Sequence, residues 1–349
     1  MTYVDLRSDT VTRPTQAMRR AMVRAEVGDD VFGEDPTVRE LEEETAAILG
    51  KEASLFVPSG CMGNEIAVAV HTRAGDSIFL DRFSHIVQVE ARAILELLGR
   101  RFLVRDGNRG RMTPEEVDQA EVNGESAGGR IGLVEVENTH NWGSGAIYPA
   151  VALDGVAQAA RRRGLPVHLD GARIWNASVA TGTRISDFAA GADSVMVCYS
   201  KGLGAPVGSA VAGTKAFIQE ARGARKMFGG AMRQAGIVAA AALYALRQHL
   251  ARLAKDHARA KRLAEAFAET EGLDLDPREI ETNIVIAELK ARPERLHEFV
   301  RAVASEGALI APFGGPGRFR AVTHLDVDDA GIDRAIRAVR EASRSVLLR

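Results

Sequence analysis

The stretch DSVMVCYSKGLGAPVGSAVAG, residues 193–213, decides the fold: it sets two apolar runs on either side of one lysine and a string of glycines. DSVMVCYS (193–200) reads as a buried strand and VGSAVAG (207–213) as another. Lys201 stands where the first run ends. A lysine there is either a solvated surface residue or a group held for chemistry. The glycines invite a dinucleotide-binding reading, but that fingerprint must follow a strand and open a helix. Here a GxGxxxG spacing leads into a second strand instead.

Outward from this stretch the same punctuation repeats. ASLFV (53–57), DSIFL (76–80), RFLV (101–104), IGLVEVE (131–137) and LPVHLD (165–170) alternate with helical patterns at 36–49, 62–73, 86–98 and 150–163. Asp35 followed by Pro36 is a helix start and Gly50 a stop. Repeated strand–helix–strand units predict an α/β fold with a mostly parallel sheet covered on both faces. From about residue 229 the pattern changes to one long Ala- and Arg-rich helix, read as a connector. NIVIAEL (283–289), a helix near 293–305, RFRAVTHL (318–325) and a last helix 329–346 then predict a small α/β domain. The expected division is a large domain over 1–254 and a small one over 255–349.

Bulk composition narrows the function classes. The 349 residues carry 45 Lys and Arg against 47 Asp and Glu, a net charge of -2 that gives no electrostatic footprint for nucleic acid. Cys61 and Cys198 are too few for a disulfide framework or a thiolate zinc site, so no metal is expected and a reducing compartment is. The N-terminus lacks the apolar core of a signal peptide, and no segment reaches the roughly 18 apolar residues of a membrane helix. A soluble cytoplasmic protein is expected.

In parallel sheets, ligands gather outside the carboxyl ends of the strands. The residues there are chemically loaded: PSGCMGNE after 53–57, DRFSH after 76–80, NTHNWG after 131–137, Asp170 in DGAR, and Ser200 with Lys201. Pyridoxal phosphate chemistry needs a lysine to hold an aldehyde and an acid to keep a pyridine nitrogen protonated. Lys201 and Asp170 supply both, at the ends of consecutive predicted strands. PSGCMGN adds a Gly-bearing turn opening a helix, where Gly60, Cys61 and the following amides suit a phosphate, and Ser200 could add a hydroxyl. His85 could stack on a flat ring or move protons, or be an ordinary core histidine. Arg173 and Arg320 are candidates for a substrate carboxylate. Gly202 and Gly204 read as clearance for a bulky ring beside Lys201.

Together the motifs resemble the low-specificity L-threonine aldolases, a family of fold type I pyridoxal phosphate enzymes. DLRSDTVTRP (5–14), GDDVFGEDPTV (28–38), FVPSGCMGN (56–64), ENTHN (137–141), HLDGARIWNA (168–177), SKGLGAPVGS (200–209), RKMFGGAMRQAG (225–236) and RAVTHLD (320–326) occur in the family's order. The resemblance implies a seven-stranded large domain, with the N-terminal segment reaching the small one. It implies pyridoxal 5'-phosphate held covalently on Lys201, with Asp170 on the pyridine nitrogen and His85 over the ring. Arg173 would lie near the cofactor and the substrate carboxylate, which Ser8 and Arg320 would also bind. Gly60, Cys61 and Ser200 would hold the phosphate, with Arg233 reaching in from a neighbouring subunit of a homodimer or homotetramer. The implied activity is retro-aldol cleavage of L-threonine, L-allo-threonine and related β-hydroxy amino acids to glycine and an aldehyde, with His85 the first choice of base. The alternative is a sister lyase acting on bulkier substrates such as phenylserine, or eliminating a β-substituent.

The chain also departs from the family pattern. Cys61 stands where most relatives have threonine, Phe32 where tyrosine is common, and ENTHN continues into a longer loop, WGSGAIYP, carrying Trp142. The second histidine that usually precedes ENTHN by about ten residues is absent near Ala127. That absence leaves the threo/erythro preference open.

Overall fold

The computed structural model describes residues 3–121 and 130–348. In chain order the strands are β1 (Val4–Asp5), β2 (Ala53–Val57), β3 (Ser77–Asp81), β4 (Arg101–Arg105), β5 (Ile131–Glu137), β6 (Val167–Gly171), β7 (Ser194–Cys198), β8 (Ser209–Gly213), β9 (Leu273–Asp274), β10 (Ile284–Leu289), β11 (Ala308–Leu309), β12 (Ala311–Pro312) and β13 (Arg318–Val322). Seven of them form the main sheet in the order β2-β8-β7-β6-β5-β3-β4. β8 runs antiparallel to both of its neighbours, β2 and β7, and the other pairings are parallel. Two reversals restore the direction, so β2 points the same way as β3 to β7. The ends of β2, β3, β5, β6 and β7 therefore open onto one edge of the sheet.

Side chains of a strand alternate between faces, and here both faces are buried. Phe56, Phe79, Val134, Val136, Ala210 and Ala212 join one core with Leu41, Val156 and Ala239 from flanking helices. Leu55, Val57 and Val211 face the opposite side, against Ile66 and Phe217. Ile78, Leu80 and Leu133 do the same beside Val68 and Ile94. Double-sided burial is the reason these strands read as near-continuous apolar runs.

The helix Pro36–Leu49 begins where expected, with Asp35 accepting from the Val38 N–H and Gly50 closing it in the left-handed conformation. Two helical readings change. The span 86–98 is interrupted into a short helix His85–Gln88 and a π-type turn Ala93–Leu97, which frees Glu90 between them. The Ala-rich connector is two helices, Gly236–His249 and Leu253–Ala268. At the break, the His249 ring bonds the Leu203 carbonyl at 2.8 Å.

A second sheet, β12-β13-β10-β9, carries Arg320 on β13, opposite Ile286 of β10. Its core joins Phe267, Phe299, Phe319 and Val339 with Val4 and Leu6 from the N-terminus. β1 pairs in parallel with β11. This tie carries the segment that follows, Arg7 to Thr12, toward the edge of the main sheet.

Candidate active site

Asp170, buried at the end of β6, has both carboxylate oxygens engaged. Oδ1 accepts the Ala172 N–H at 3.0 Å and Oδ2 accepts the Asn64 amide at 2.9 Å. Ser200 and Lys201 follow the adjacent β7, half-buried, and the Lys201 carbonyl accepts the Gly204 N–H at 2.8 Å to form a tight turn. The expectation that Gly202 and Gly204 clear space for a ring is corrected here. A Cβ at Gly202 would meet Asn176 Oδ1 at 2.9 Å and Leu253 at 3.0 Å, and Gly204 has a φ of +77° that favours glycine. These glycines fit the turn into the protein's own packing.

The helix Gly60–His71 opens just after β2. Ser59 caps it by accepting the Met62 N–H at 3.2 Å, and the amides of Gly60 and Cys61 lie in its first turn, ahead of the helical ladder. A Cβ at Gly60 would stand 3.3 Å from Met196 Sδ and 3.6 Å from Ser209 Oγ. That Ser209 hydroxyl is buried and unpartnered among the described residues. An orphaned hydroxyl beside a helix N-terminus is a donor set that fits a phosphate. Burial, with the nearby Glu90 charge, pushes the Cys61 thiol up to about 12, so it brings no negative charge to the cradle. Ser200 Oγ lies 3.3 Å from Cys198 Sγ. Arg233 is not brought to this cradle within its own chain: its side chain is 62% exposed and pairs with Asp29 at 3.1 Å.

His85 enters from the end of β3. Its backbone N–H is held by Glu137 Oε2 at 2.8 Å, while Oε1 of the same carboxylate holds the Asn141 N–H at 2.8 Å. One acid at the tip of β5 thus fixes two functional loops. The His85 Nδ1 bonds Glu90 Oε1 at 2.6 Å, leaving Nε2 for the site. Burial opposes a charge on the imidazole, and the Glu90 hydrogen bond and charge overcome it, raising His85 above its ordinary value. Donor atoms of Cys61, His85 and Glu90 lie within 4.8 Å of one another, a grouping that could hold a cation. The short His85–Glu90 contact already uses two of the three as a hydrogen-bonded pair.

Arg173, just past the end of β6, is locked to Asp9 through two contacts of 2.8 Å, and Asn283 adds a bond to Asp9 at 3.2 Å. Ser8, next to Asp9, is half-buried and accepts the Thr10 N–H at 3.2 Å. Arg320 donates to Asn141 Oδ1 at 2.9 Å and to the Arg7 carbonyl at 3.2 Å, and stacks over Phe313 at 4.4 Å. Its Nε is buried without a partner among the described residues. Burial and the repulsion of Arg173 pull this guanidinium down to about 10. Arg173 has Asp9 as its ion-pair partner, whereas the half-buried Arg320 donates only to neutral oxygens, so an incoming carboxylate would give Arg320 a counter-charge. Trp142 packs on Phe313, centroids 4.6 Å apart, and meets the His85 ring edge-on at 6.5 Å.

Lys201, Asp170, His85, Gly60, Cys61, Ser200, Arg173, Ser8 and Arg320 are thus distributed around one sheet edge and the adjoining face of β13. Asn64, Glu90, Glu137, Asp9, Asn141 and His168 escape the sequence reading. Asp9, Asn64, Glu137, Asn141 and His168 fall inside the quoted motifs without being singled out, and Glu90 lies outside all of them. The position near Ala127 lies outside the described residues.

The profile of the beta-eliminating lyase family matches residues 5–291. Low-specificity L-threonine aldolase 1 of Arabidopsis thaliana is 40% identical over 346 residues, 98% of this chain and 97% of that one. The low specificity L-threonine aldolase of Escherichia coli K12 is 38% identical over 335 residues, covering 93% and 94%. In fold, a Leishmania major threonine aldolase superposes with a TM-score of 0.80 at 18% identity over 98% of this chain and 99% of that one. Sphingomonas wittichii serine palmitoyltransferase gives 0.74 at 18% identity, over 98% and 87%. With near-full-length identity at this level, the chain belongs to the low-specificity L-threonine aldolase family.

Proposed function

We propose that this protein is a pyridoxal phosphate-dependent lyase that cleaves L-threonine, L-allo-threonine and related β-hydroxy amino acids to glycine and an aldehyde. The observation that carries the reading is the gathering of Asp170, Lys201 and His85 at one sheet edge with the cations Arg173, just past Asp170, and Arg320, on β13. When bound, pyridoxal phosphate serves as the sink for the electron pair released from the Cα–Cβ bond.

Each residue then has a defined task. Lys201 is the covalent anchor for the cofactor aldehyde. Asp170, held from two sides, keeps a proton on the ring nitrogen, and Gly60, Cys61, Ser200 and the orphaned Ser209 hydroxyl receive the phosphate. Arg320 and Arg173, with Ser8, hold the amino acid carboxylate and orient the substrate. His85 accepts the β-hydroxyl proton at Nε2 while its Nδ1 stays on Glu90. As the Cα–Cβ bond breaks, the β-carbon leaves as aldehyde and Cα takes up a proton to become glycine.

The aromatic pair Trp142 and Phe313 favours a second substrate class at the same site, β-aryl amino acids of the phenylserine type. Homo-oligomerisation, as a dimer or tetramer with Arg233 reaching a neighbour's phosphate site, is supported by the outward turn of Arg233. Exposed Phe83, Val89, Leu95 and Leu97 in one segment beside His85 also support it. Both thiols are unpaired, which supports a cytoplasmic location.

The test is product analysis with L-threonine and L-phenylserine, in the parent and in Lys201→Ala. Glycine and the matching aldehyde are expected from the parent. Lys201→Ala is expected to lose turnover and borohydride-fixable cofactor. Ammonia and a keto acid as products, or cleavage retained by the variant, overturn the reading.

A further inference from the structure

Asn64 is buried in the second turn of the helix Gly60–His71, and its amide touches three functional groups. Nδ2 donates to Glu90 Oε1 at 3.0 Å and to Asp170 Oδ2 at 2.9 Å, and Oδ1 lies 3.1 Å from His168 Nε2. Two carboxylates on one side fix which way the amide points. Turned over, Oδ1 would face both acids and both N–H donors would be lost.

That orientation propagates. Oδ1 needs a donor, so His168 carries its proton on Nε2. His168 Nδ1 must then accept from the Ser194 hydroxyl, 2.8 Å away. Having given its proton to His168, Ser194 Oγ accepts from His71 Nε2 at 2.9 Å. Burial pulls His168 down to about 3 and His71 down to about 4, so both rings are neutral with a single N–H each. The chain runs in one direction, from His71 through Ser194 and His168 to Asn64, and ends on Asp170 and Glu90. His71, stacked on Phe217 with centroids 4.9 Å apart, anchors the far end.

We propose that Asn64 is a positioning residue whose amide, locked from behind by His168, Ser194 and His71, holds Asp170 against the cofactor ring nitrogen and ties it to the Glu90–His85 pair. The two halves of the site, the acid facing the cofactor and the acid behind the base, share the two hydrogens of one side chain. Loosening Asn64 loosens both. The inference rests on the functional reading above.

The experiment compares the parent with Asn64→Leu, His168→Leu and His168→Gln. Removing the amide is expected to weaken pyridoxal phosphate binding by about 10- to 100-fold, as loss of a group that orients a ligand does. It is also expected to shift the pH titration of the bound cofactor's absorption, and to lower kcat more than it raises KM for L-threonine. His168→Leu should follow Asn64→Leu, and His168→Gln, which keeps an N–H for Asn64 Oδ1, should restore the parent spectrum. A folded Asn64→Leu with unchanged cofactor affinity and titration overturns the proposal. A parent that takes up no cofactor overturns the functional reading instead. Independently of cofactor and of variant folding, long-range proton–nitrogen spectra of the cofactor-free parent must show His168 as the Nε2–H tautomer. An Nδ1–H tautomer reverses the chain and overturns the proposal.

Discussion

Arg173 and Asp9 lie 164 positions apart in sequence and meet in a bidentate ion pair, Nε to Oδ2 and Nη2 to Oδ1, both at 2.8 Å. Both side chains are almost fully buried. The pair joins the N-terminal DLRSDT segment to the end of β6, so it fastens that segment to the sheet that carries Asp170. Breaking one side of such a pair leaves a buried charge uncompensated, which costs about 3–5 kcal/mol.

Asp9→Asn is therefore expected to lower unfolding free energy by about that amount at neutral pH, and to raise KM for L-threonine because Arg173 loses its brace. Burial works against the Asp9 carboxylate, but the charge and hydrogen bonds of Arg173 hold it well below its ordinary value of 3.8. The pair's contribution is thus present above pH 3.8 and is lost as the pH falls below it. The difference between parent and variant should shrink in acid. Denaturant titrations at pH 7 and pH 3 check this, and equal stability at pH 7 counts against it.

Glu90→Gln removes the charge that lifts His85. Burial then meets less opposition and the imidazole moves down from its raised value. If His85 must be neutral to accept the β-hydroxyl proton, the acid limb of the kcat/KM profile should move to lower pH, by about 1–2 units. A limb that stays in place would show that another group supplies the base.

The extent to which the sequence revealed this site follows from where each contact is made. Strands buried on both faces announce themselves as apolar runs, and residues just past their ends are easy to single out, as Asp170, Lys201 and His85 were. Asn64 falls in PSGCMGNE, just past a strand, but nothing there marks the contacts it makes, and Glu90 carries no such signal at all. Asn64 lies within a regular helix, and Glu90 falls where the local pattern continues a helix through 86–98. Its interruption answers to contacts with His85 and Asn64, made across the sheet edge. The break between Gly236–His249 and Leu253–Ala268 has no glycine or proline to mark it. The glycines after Lys201 misled for the converse reason, since their neighbours Asn176, Leu253 and Leu325 are distant in sequence.

Glu135, buried on β5, lies among the carboxylates of Asp170, Glu137 and Glu90, with the Ser84 hydroxyl beside it. Burial, reinforced by Asp170, Glu137 and Glu90, raises it well above its ordinary value of 4.5. The unfolded chain ionises above that value, so the residue costs stability as the pH rises through it. Glu135→Gln, neutral at every pH and supplied with carboxylate acceptors nearby, should stabilise the protein at pH 7 and leave it unchanged near pH 4. Thermal melts at the two values decide it. Destabilisation at pH 7 would mean that the carboxyl is ionised and paired.

The Trp142 ring packs on Phe313, which underlies Arg320, and meets His85 edge-on. Trp142 thus neighbours both the residue proposed to take the hydroxyl proton and the aromatic support of Arg320. An aryl group on the β-carbon gains an aromatic face there, and such a pair is worth about 0.5–1.5 kcal/mol. A methyl group gains little. Trp142→Ala should therefore reduce kcat/KM for L-phenylserine relative to L-threonine by roughly two- to thirteenfold. Parallel steady-state assays with both substrates measure the ratio. A constant ratio would show that the side chain of the substrate lies elsewhere, and a rising one would mean that Trp142 obstructs the pocket.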